Sequence, residues 1–398
     1  MRLLISLFSP STGTWGGLTR GIAIADAAIS AGHDVAFCAS GYLEGVLRKR
    51  GYEVYTTPST TMLGLPALLS QVLERRSQRA SIPVKPGKSI GNIWLVLWLS
   101  GYARANYLRR LTEAEIEVAK AFRADRIFTD LNPGAFLMTA IMGIPVASAY
   151  AQIVTQGKGT WAWKLMNRAT KKVLQSYGLS ALIPDELFFG ERVLKIIPSV
   201  PELDDADPDL PDVHYVGHLI GPIQEDTQTA LNLDDENHYV FVYMGTGSVP
   251  LTVLQKVLPR VFPSDGKWRC FVGAQSITTP YQLGAVAFRP YVPADELLPR
   301  CDWTICHGGQ NTIIQSLLNG VPLIVFPGAV FERRYNAGKV AKAGAGIMGE
   351  VDQFKFDWLI ANLKERVVYA SRAEKLGESM RSYGGPSTAV EAIEKWGG

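Results

Sequence analysis

Short apolar runs alternate with longer segments of helical period along both halves of the chain. The apolar runs are too short for amphipathic helices, whereas the segments between them repeat apolar positions every three or four residues. Such alternation is typical of parallel strands joined by crossover helices. The pattern therefore predicts an α/β fold with two similar halves.

The predicted elements follow one another as strand, helix, strand in each half. In the first half the strands are Leu3–Phe8, Val35–Ala39, Arg126–Thr129 and Val146–Ala149, and the helices are Leu18–Ser30, Gly41–Arg50, Thr112–Phe122 and Pro133–Ile141. In the second half the strands are Tyr239–Met244, Trp268–Val272, Val286–Phe288, Trp303–Cys306 and Leu323–Phe326, and the helices are Leu251–Val261, Asn311–Leu318 and Arg334–Ala343.

A polar stretch separates the halves. It begins with the acidic run Pro201–Asp212 and continues to Asn237, and such Pro-, Gly- and Asp-rich segments are typical of linkers. We expect an N-terminal domain at 1–217, a linker at 218–237 and a C-terminal domain at 238–384. A last helix at 385–398 could cap either domain, including by packing back on the N-terminal one.

Composition and charge narrow the class of protein. The 398 residues are 47% hydrophobic and 19% charged, which excludes a disordered chain. Forty Lys and Arg against 37 Asp and Glu give a net charge of +3, too little for a dedicated nucleic-acid binder. The four cysteines show no CxxC spacing, so no disulfide or zinc site is expected. The first residues lack a secretory signal pattern, and Ile93–Leu99 is too short to span a bilayer, so we expect a cytoplasmic protein.

The candidate chemistry centres on His307. The predicted strand Trp303–Cys306 ends there, and Gly308-Gly309 let the backbone turn closely into the next helix. Free amides at a helix N-terminus bind anions. Ligands of open α/β sheets also collect at the carboxyl ends of strands. The segment therefore predicts a site for a pyrophosphate, although such a histidine with two glycines can also be purely structural.

The wider spacing resembles the donor-site signature of UDP-dependent glycosyltransferases, and positions in the first half also fit this family. The matching positions are Gly32–Val35, Thr129-Asp130, Gly143–Val146, Gly245-Thr246, Arg289–Pro293, His307–Gly309, Thr312, Gly320–Pro322, Pro327 and Asn336-Ala337. This family has the GT-B fold, in which two Rossmann-like domains face a cleft. The resemblance implies a C-terminal half that holds the nucleotide sugar and an N-terminal half that holds the acceptor.

The resemblance also implies individual roles. Tyr291 would stack on the nucleotide base, with a core tyrosine as the alternative, and Val292 would offer backbone hydrogen bonds to the base. The glycine turn Gly245-Thr246 would face the phosphates. The residues expected to bind the pyrophosphate are His307, Gly309, Asn311 and Thr312.

Three positions of the donor site depart from the family pattern. Glu332 and Arg333 replace the usual Asp-Gln pair at the sugar hydroxyls, and Gln315 replaces the usual ribose-binding Glu. Arg333 brings five donors and a fixed charge, which suit a carboxylate or phosphate better than a neutral hydroxyl. Arg333 therefore indicates either an acidic donor sugar or a solvated or salt-bridged side chain.

The largest departure is at the expected catalytic base. The family's histidine after the first strand corresponds to Gly17, while its orienting aspartate corresponds to Asp130. Three alternatives follow: Asp130 is itself the base, the acceptor needs no base from this position, or the protein binds a nucleotide sugar without transferring it. Gly16 and Gly17 open a helix at the cleft, where their amides could touch the donor or simply permit close packing.

The acceptor region carries the weakest signal. The apolar run Ile93–Leu99 lies in a basic stretch, and residues 85–110 could line an acceptor pocket, rest on an anionic membrane or pack in the core.

We predict an inverting glycosyltransferase that uses a UDP-sugar, with dTDP as the alternative nucleotide, on a small apolar or aromatic acceptor. No other cofactor and no metal are expected. Alternatives are transfer to a lipid-linked acceptor, an epimerase or hydrolase of nucleotide sugars, and a non-catalytic binding partner.

Overall fold

The two halves of the chain form two α/β domains in the computed structural model. The structure describes residues 1–8, 15–70, 72–73, 87–89, 91–151, 154–221, 231–245, 247–274 and 276–397. Among these residues, each domain is built on one sheet of seven strands.

The first sheet is parallel throughout, in the order β3-β2-β1-β4-β5-β6-β7. Its strands are β1 (Arg2–Ser6), β2 (Asp34–Ala39), β3 (Glu53–Thr56), β4 (Arg126–Thr129), β5 (Val146–Ala149), β6 (Val193–Ile197) and β7 (Val213–Tyr215). The helices of this half are α1 (Trp15–Ser30), α2 (Gly41–Lys49), α3 (Ile93–Leu99), α4 (Ala105–Phe122), α5 (Pro133–Met142), α6 (Trp161–Ser176) and α7 (Pro184–Phe189). The central strand β1 has no polar face to show to water, since helices cover both faces of such a sheet.

The second sheet has the order β10-β11-β9-β8-β12-β13-β14, with β10 antiparallel to β11. Its strands are β8 (His238–Tyr243), β9 (Trp268–Gly273), β10 (Tyr281–Leu283), β11 (Val286–Arg289), β12 (Cys301–Cys306), β13 (Leu323–Val325) and β14 (Gly346–Met348). Its helices are α8 (Leu251–Val261), α9 (Ala294–Leu297), α10 (Gln310–Leu318), α11 (Phe331–Lys342), α12 (Phe356–Leu363), α13 (Arg366–Ser382) and α14 (Gly385–Lys395). The expected α/β class is confirmed.

Each sheet has a point at which the strand order reverses. In the first sheet the chain runs from β1 outward to β3 and then returns to β4 on the other side of β1. In the second it runs from β8 to β9, continues to the outer pair β10 and β11, and returns to β12 on the other side of β8. The loops after the two flanking strands separate at such a point and leave a crevice in which ligands bind. These crevices hold Gly17 and Asp130 in one domain, and Gly245 and His307 in the other.

The last helix, α14, packs on the N-terminal domain. Ala389, Val390 and Ile393 are buried in the same cluster as Ile22 and Ala25 of α1. Their spacing places one apolar stripe of α14 against the sheet. The chain therefore crosses back to its first domain after completing the second.

One part of the first half differs from the sequence-based expectations. The acidic run Pro201–Asp212 reads in the sequence as the start of the polar stretch between the halves, but it lies between β6 and β7, inside the expected first domain 1–217. Its position escaped prediction because β7 is a short strand with half-buried and exposed residues and no apolar run. Of the expected linker 218–237, residues 222–230 lie outside the described part of the chain.

Candidate functional site

The N-terminus of α10 lies at the crevice of the second sheet. Gly308 has a φ of +91°, and a Cβ there would lie 2.8 Å from the carbonyl oxygen of Arg333, so glycine is needed for this close approach. Asn336 donates from Nδ2 to the Gly308 carbonyl over 3.1 Å and holds the turn. Gly309 is the N-cap and supplies no side-chain oxygen. The first amides of α10 are consequently not capped by that residue and can bind an anion.

The imidazole of His307 fits between two glycines. A Cβ at Gly245 would lie 2.6 Å from the ring, and one at Gly309 would lie 2.9 Å from Nε2. His307 Nδ1 lies 3.2 Å from the carbonyl oxygen of Tyr243. Since a carbonyl can only accept, Nδ1 carries the proton, and Nε2 of the neutral ring is an acceptor.

The protonation of His307 is sensitive to its surroundings. Burial, followed by the charge of Arg333, lowers the pKa of His307 to about 4, so the ring is neutral at neutral pH. A diphosphate oxygen cannot donate to Nε2 and would bind it only after the ring takes up a proton. Binding of a diphosphate through His307 should therefore be coupled to proton uptake. The affinity should fall as pH rises above the pKa that His307 has in the free protein.

The expected base-binding positions, Tyr291 and Val292, follow the carboxyl end of another strand of the same sheet. Tyr291 and Val292 come two and three residues after β11, and β11 is three strands away from β12. At about 4.8 Å per strand, the ends of β11 and β12 are separated by roughly 14 Å along the sheet edge. Tyr291 is half-buried, and the Val292 side chain is buried among core residues, which leaves its backbone for ligand contacts. Thr246 lies outside the described residues.

The helices α10 and α11 carry the other predicted contacts. Thr312 is buried, whereas Asn311 and Gln315 are half-buried. At the start of α11, Glu332 is exposed and Arg333 is half-buried. Arg333 lies close enough to His307 to lower the pKa of that ring. Arg333 therefore belongs to the surroundings of the site and is not a fully solvated side chain.

The N-terminal domain brings Gly17 and Asp130 together. A Cβ at Gly17 would lie 2.5 Å from Asp130 Oδ2, so the carboxylate occupies the space that a side chain at position 17 would need. Asp130 follows β4 directly, and the next residue, Leu131, has a φ of +60°. Left-handed conformations of non-glycine residues are strained and are often found at functional sites. Gly16 lies beside them, with Arg20 Nη2 3.5 Å from a Cβ built there.

Sequence reasoning missed Arg20 and Gln310. Arg20 Nη2 donates to Asp130 Oδ2 over 2.8 Å, and Arg20 Nη1 donates to Gln310 Oε1 over 3.2 Å. Gln310 is the first residue of α10, so this pair of bonds joins the two domains. The signal available in the sequence was the spacing, because Arg20 is three residues after Gly17 and lies on the same face of α1.

A buried carboxyl group supports the loop that carries Asp130. Glu115 accepts hydrogen bonds from Ser6 Oγ over 3.0 Å and from Asn132 Nδ2 over 2.7 Å. Asn132 also caps α5, accepting from the Gly134 amide over 3.1 Å. Burial raises the pKa of Glu115 to about 7, although the two hydrogen bonds oppose the shift.

We expect Glu115→Gln to change how stability depends on pH. The unfolded carboxyl loses its proton near pH 4.5 while the folded one keeps it to about pH 7, so native stability should fall as pH rises between these values. The loss between pH 5 and pH 8 should be about 2–3 kcal/mol, and the variant should lack it. Urea unfolding at the two pH values measures this. Glu117→Gln, at an exposed position of the same helix, is the control and should retain the wild-type dependence.

The apolar helix α3 lies mostly in the core. Trp94 is 1% exposed and Leu97 is 2% exposed, and the Trp94 ring lies 4.2 Å from that of Trp163. Trp98 is half-buried against Trp161. Of the three alternatives for this helix, core packing holds for the Trp94 side, and membrane contact through 85–110 stays a prediction.

The described part of the chain contains no helix that is long and apolar enough to cross a membrane. Among the same residues there is also no group of His, Cys, Asp and Glu side chains suited to holding a metal ion.

Comparison with known families gives a match to the C-terminal domain. Residues 274–395 match the model of the family described as the erythromycin biosynthesis protein CIII-like, C-terminal domain. Among curated proteins, the chain is 24% identical over 187 residues to the NDP-glycosyltransferase YjiC of Bacillus subtilis, covering 45% of this chain and 47% of the relative. It is 32% identical over 211 residues to the uncharacterized UDP-glucosyltransferase YojK of the same organism, covering 52% of this chain and 47% of the relative. These matches span about half the length of each relative.

Solved structures resemble the whole chain. A glycotransferase of kitacinnamycin aligns with a TM-score of 0.73 and 18% identity, covering 99% of this chain and 98% of its own. The glycosyltransferase SsfS6 of Streptomyces sp. SF2575, complexed with thymidine diphosphate, aligns with a TM-score of 0.69 and 17% identity over 100% of both chains. The predicted GT-B fold is therefore confirmed.

Proposed function

We propose that this chain is a glycosyltransferase of the bacterial natural-product type and that it transfers a sugar from a nucleoside diphosphate to a small apolar or aromatic acceptor. The observation that carries the proposal is the anion-binding N-terminus of α10 beside His307, which is joined across the cleft to Asp130 through Arg20. An anion site and a carboxylate on opposite sides of one cleft are what a transfer of this kind requires.

The proposed reaction is one displacement with inversion at the anomeric carbon. The acceptor oxygen forms a bond to the anomeric carbon, and the bond from that carbon to the β-phosphate oxygen breaks with its electron pair on the diphosphate. The acceptor proton goes to the Asp130 carboxylate. The N-terminus of α10 stabilises the growing charge of the leaving group.

Asp130 is the proposed base because its carboxylate lies against Gly17, where an imidazole is missing. One carboxylate oxygen, Oδ2, already accepts from Arg20, so we assign proton transfer to Oδ1. An acceptor that is already ionised would make this role unnecessary, and a protein that only binds the nucleotide sugar would show no turnover.

For the donor we propose UDP, with dTDP as the alternative. YojK is named as a UDP-glucosyltransferase, and the SsfS6 structure contains thymidine diphosphate. Arg333 near His307 favours a sugar with an anionic substituent. UDP-glucuronic acid and UDP-glucose differ in that substituent, and tighter binding of the neutral sugar would exclude this role of Arg333.

We expect His307→Ala to weaken nucleoside diphosphate binding by about 10–100-fold, the value of a hydrogen bond to a charged group. Calorimetry with UDP, dTDP and their sugar conjugates measures this. Wild-type affinity should fall as pH rises from 5 to 8, while the variant should show a weaker dependence. His238→Ala, which removes an exposed histidine paired with Asp302, is the control. Failure of the wild type to bind any of these compounds would contradict the proposed function.

A further inference from the structure

A guanidinium group lies beside the carboxylate that borders Gly17. Arg20 and Asp130 form an ion pair of 2.8 Å whose side chains are only 15% and 12% exposed. Gly17 on the same helix face provides the room, because any side chain there would meet the Asp130 carboxylate. The acceptor side of the cleft therefore holds a positive charge beside its carboxylate.

The same guanidinium reaches the donor domain. Its Nη1 donates to Oε1 of Gln310, the residue with which α10 begins. The positive group therefore stands one side chain away from the helix N-terminus that is expected to hold the diphosphate. Both the helix end and the guanidinium attract the same kind of ligand.

Two buried donors at this junction have no hydrogen-bond partner. Among the described residues, Arg20 Nε and Gln310 Nε2 are both enclosed and unpaired. A buried donor left unsatisfied costs about 1–3 kcal/mol. Two such groups beside one anion site indicate a ligand that supplies acceptor oxygens, as a diphosphate does.

We propose that Arg20 binds the diphosphate of the donor, retaining its bond to Asp130 and exchanging the Gln310 amide oxygen for a phosphate oxygen. This inference rests on the proposed function. Arginine can serve both partners because its donors point in different directions within one plane. The guanidinium would then stabilise the charge that the diphosphate gains when the bond to the anomeric carbon breaks.

A purely positioning role for Arg20 predicts different behaviour. If Arg20 only oriented Asp130, replacing either residue would have similar effects, and neither would change the affinity for a nucleoside diphosphate. If Arg20 binds the diphosphate, then Asp130→Asn removes a negative charge that repels the ligand and leaves that affinity unchanged or higher. The two roles are therefore separated by comparing Arg20 and Asp130 variants in binding alone.

The test is calorimetry with UDP and dTDP, and with uridine and thymidine as probes that lack the diphosphate. Arg20→Gln is expected to weaken diphosphate binding by about 10–100-fold and to leave nucleoside binding unchanged. Arg20→Lys keeps the charge without the planar donors, so its diphosphate affinity should lie between those of the wild type and Arg20→Gln. Arg48→Gln, which removes an exposed arginine paired with Glu44, is the control.

Three results would overturn the inference. One is wild-type diphosphate affinity in a folded Arg20→Gln or, where that variant does not fold, in Arg20→Lys. Another is equal weakening of diphosphate and nucleoside binding. The third is equal weakening by Arg20→Gln and Asp130→Asn. If the wild type bound neither UDP nor dTDP, the proposed function would fall together with this inference, whereas the three results above leave the proposed function standing.

Discussion

Replacing Asp130 by asparagine is expected to lower kcat by about 10²–10⁴-fold, the usual contribution of a general base. Asparagine keeps the size of the side chain and an oxygen for Arg20, but its amide cannot take the acceptor proton. Binding of the nucleoside diphosphate should stay at the wild-type level or improve, so the loss should appear in turnover and not in donor affinity. Transfer to a panel of phenolic and alcoholic acceptors, followed by chromatography, measures kcat.

The matched control is Asp125→Asn. Asp125 directly precedes β4, as Asp130 directly follows it, and its exposed carboxylate accepts from the Arg2 amide over 2.8 Å. It should leave kcat unchanged. Retained turnover in Asp130→Asn would contradict the assignment of the base and would favour an acceptor whose attacking atom is already nucleophilic. Turnover in neither the wild type nor the variant, with donor binding intact, would favour a protein that only binds the nucleotide sugar.

The fold and the donor side were open to prediction because their signals are local. Strands such as β13 are continuous apolar runs, and His307-Gly308-Gly309 lies in one segment with the helix that it starts. Close backbone approach at Gly308 leaves only glycine as a suitable residue. The histidine and the glycine that shapes the turn after it are therefore adjacent in the sequence. The fold class and the placement of His307 at a strand end followed from such short segments.

The acceptor side was harder because its contacts join distant parts of the chain. Arg20 and Gln310 are 290 positions apart, and no periodicity links them. The same reason applies to β7, whose few half-buried residues acquire a strand conformation only by pairing with β6. The sequence shows that Gly17 stands where the family has its histidine. The Arg20 guanidinium beside Asp130 could be identified only from the packing of α1, β4 and α10 against one another.

The apolar helix α3 raises the remaining question of which tryptophans could meet an acceptor. Trp94 is enclosed by the rings of Trp163, Phe188 and Phe189, with centroids 4.2, 5.8 and 6.1 Å away. Trp98 lies on the more open side of the helix, and its ring centroid is 4.9 Å from that of Trp161. Trp161 is itself 55% exposed. The two tryptophans of one short helix should therefore differ in what they contribute.

We expect Trp94→Ala to lower the free energy of unfolding by about 3–5 kcal/mol, because a large ring leaves a cavity that its neighbours cannot fill. Trp94→Phe should cost much less, since it keeps most of the packing and removes an indole N–H that is buried without a partner among the described residues. Trp98→Ala, at the half-buried position, should cost less than Trp94→Ala and is the matched comparison. Denaturant unfolding measures all three. A small stability loss in Trp94→Ala together with lost transfer activity would instead place this ring against the acceptor.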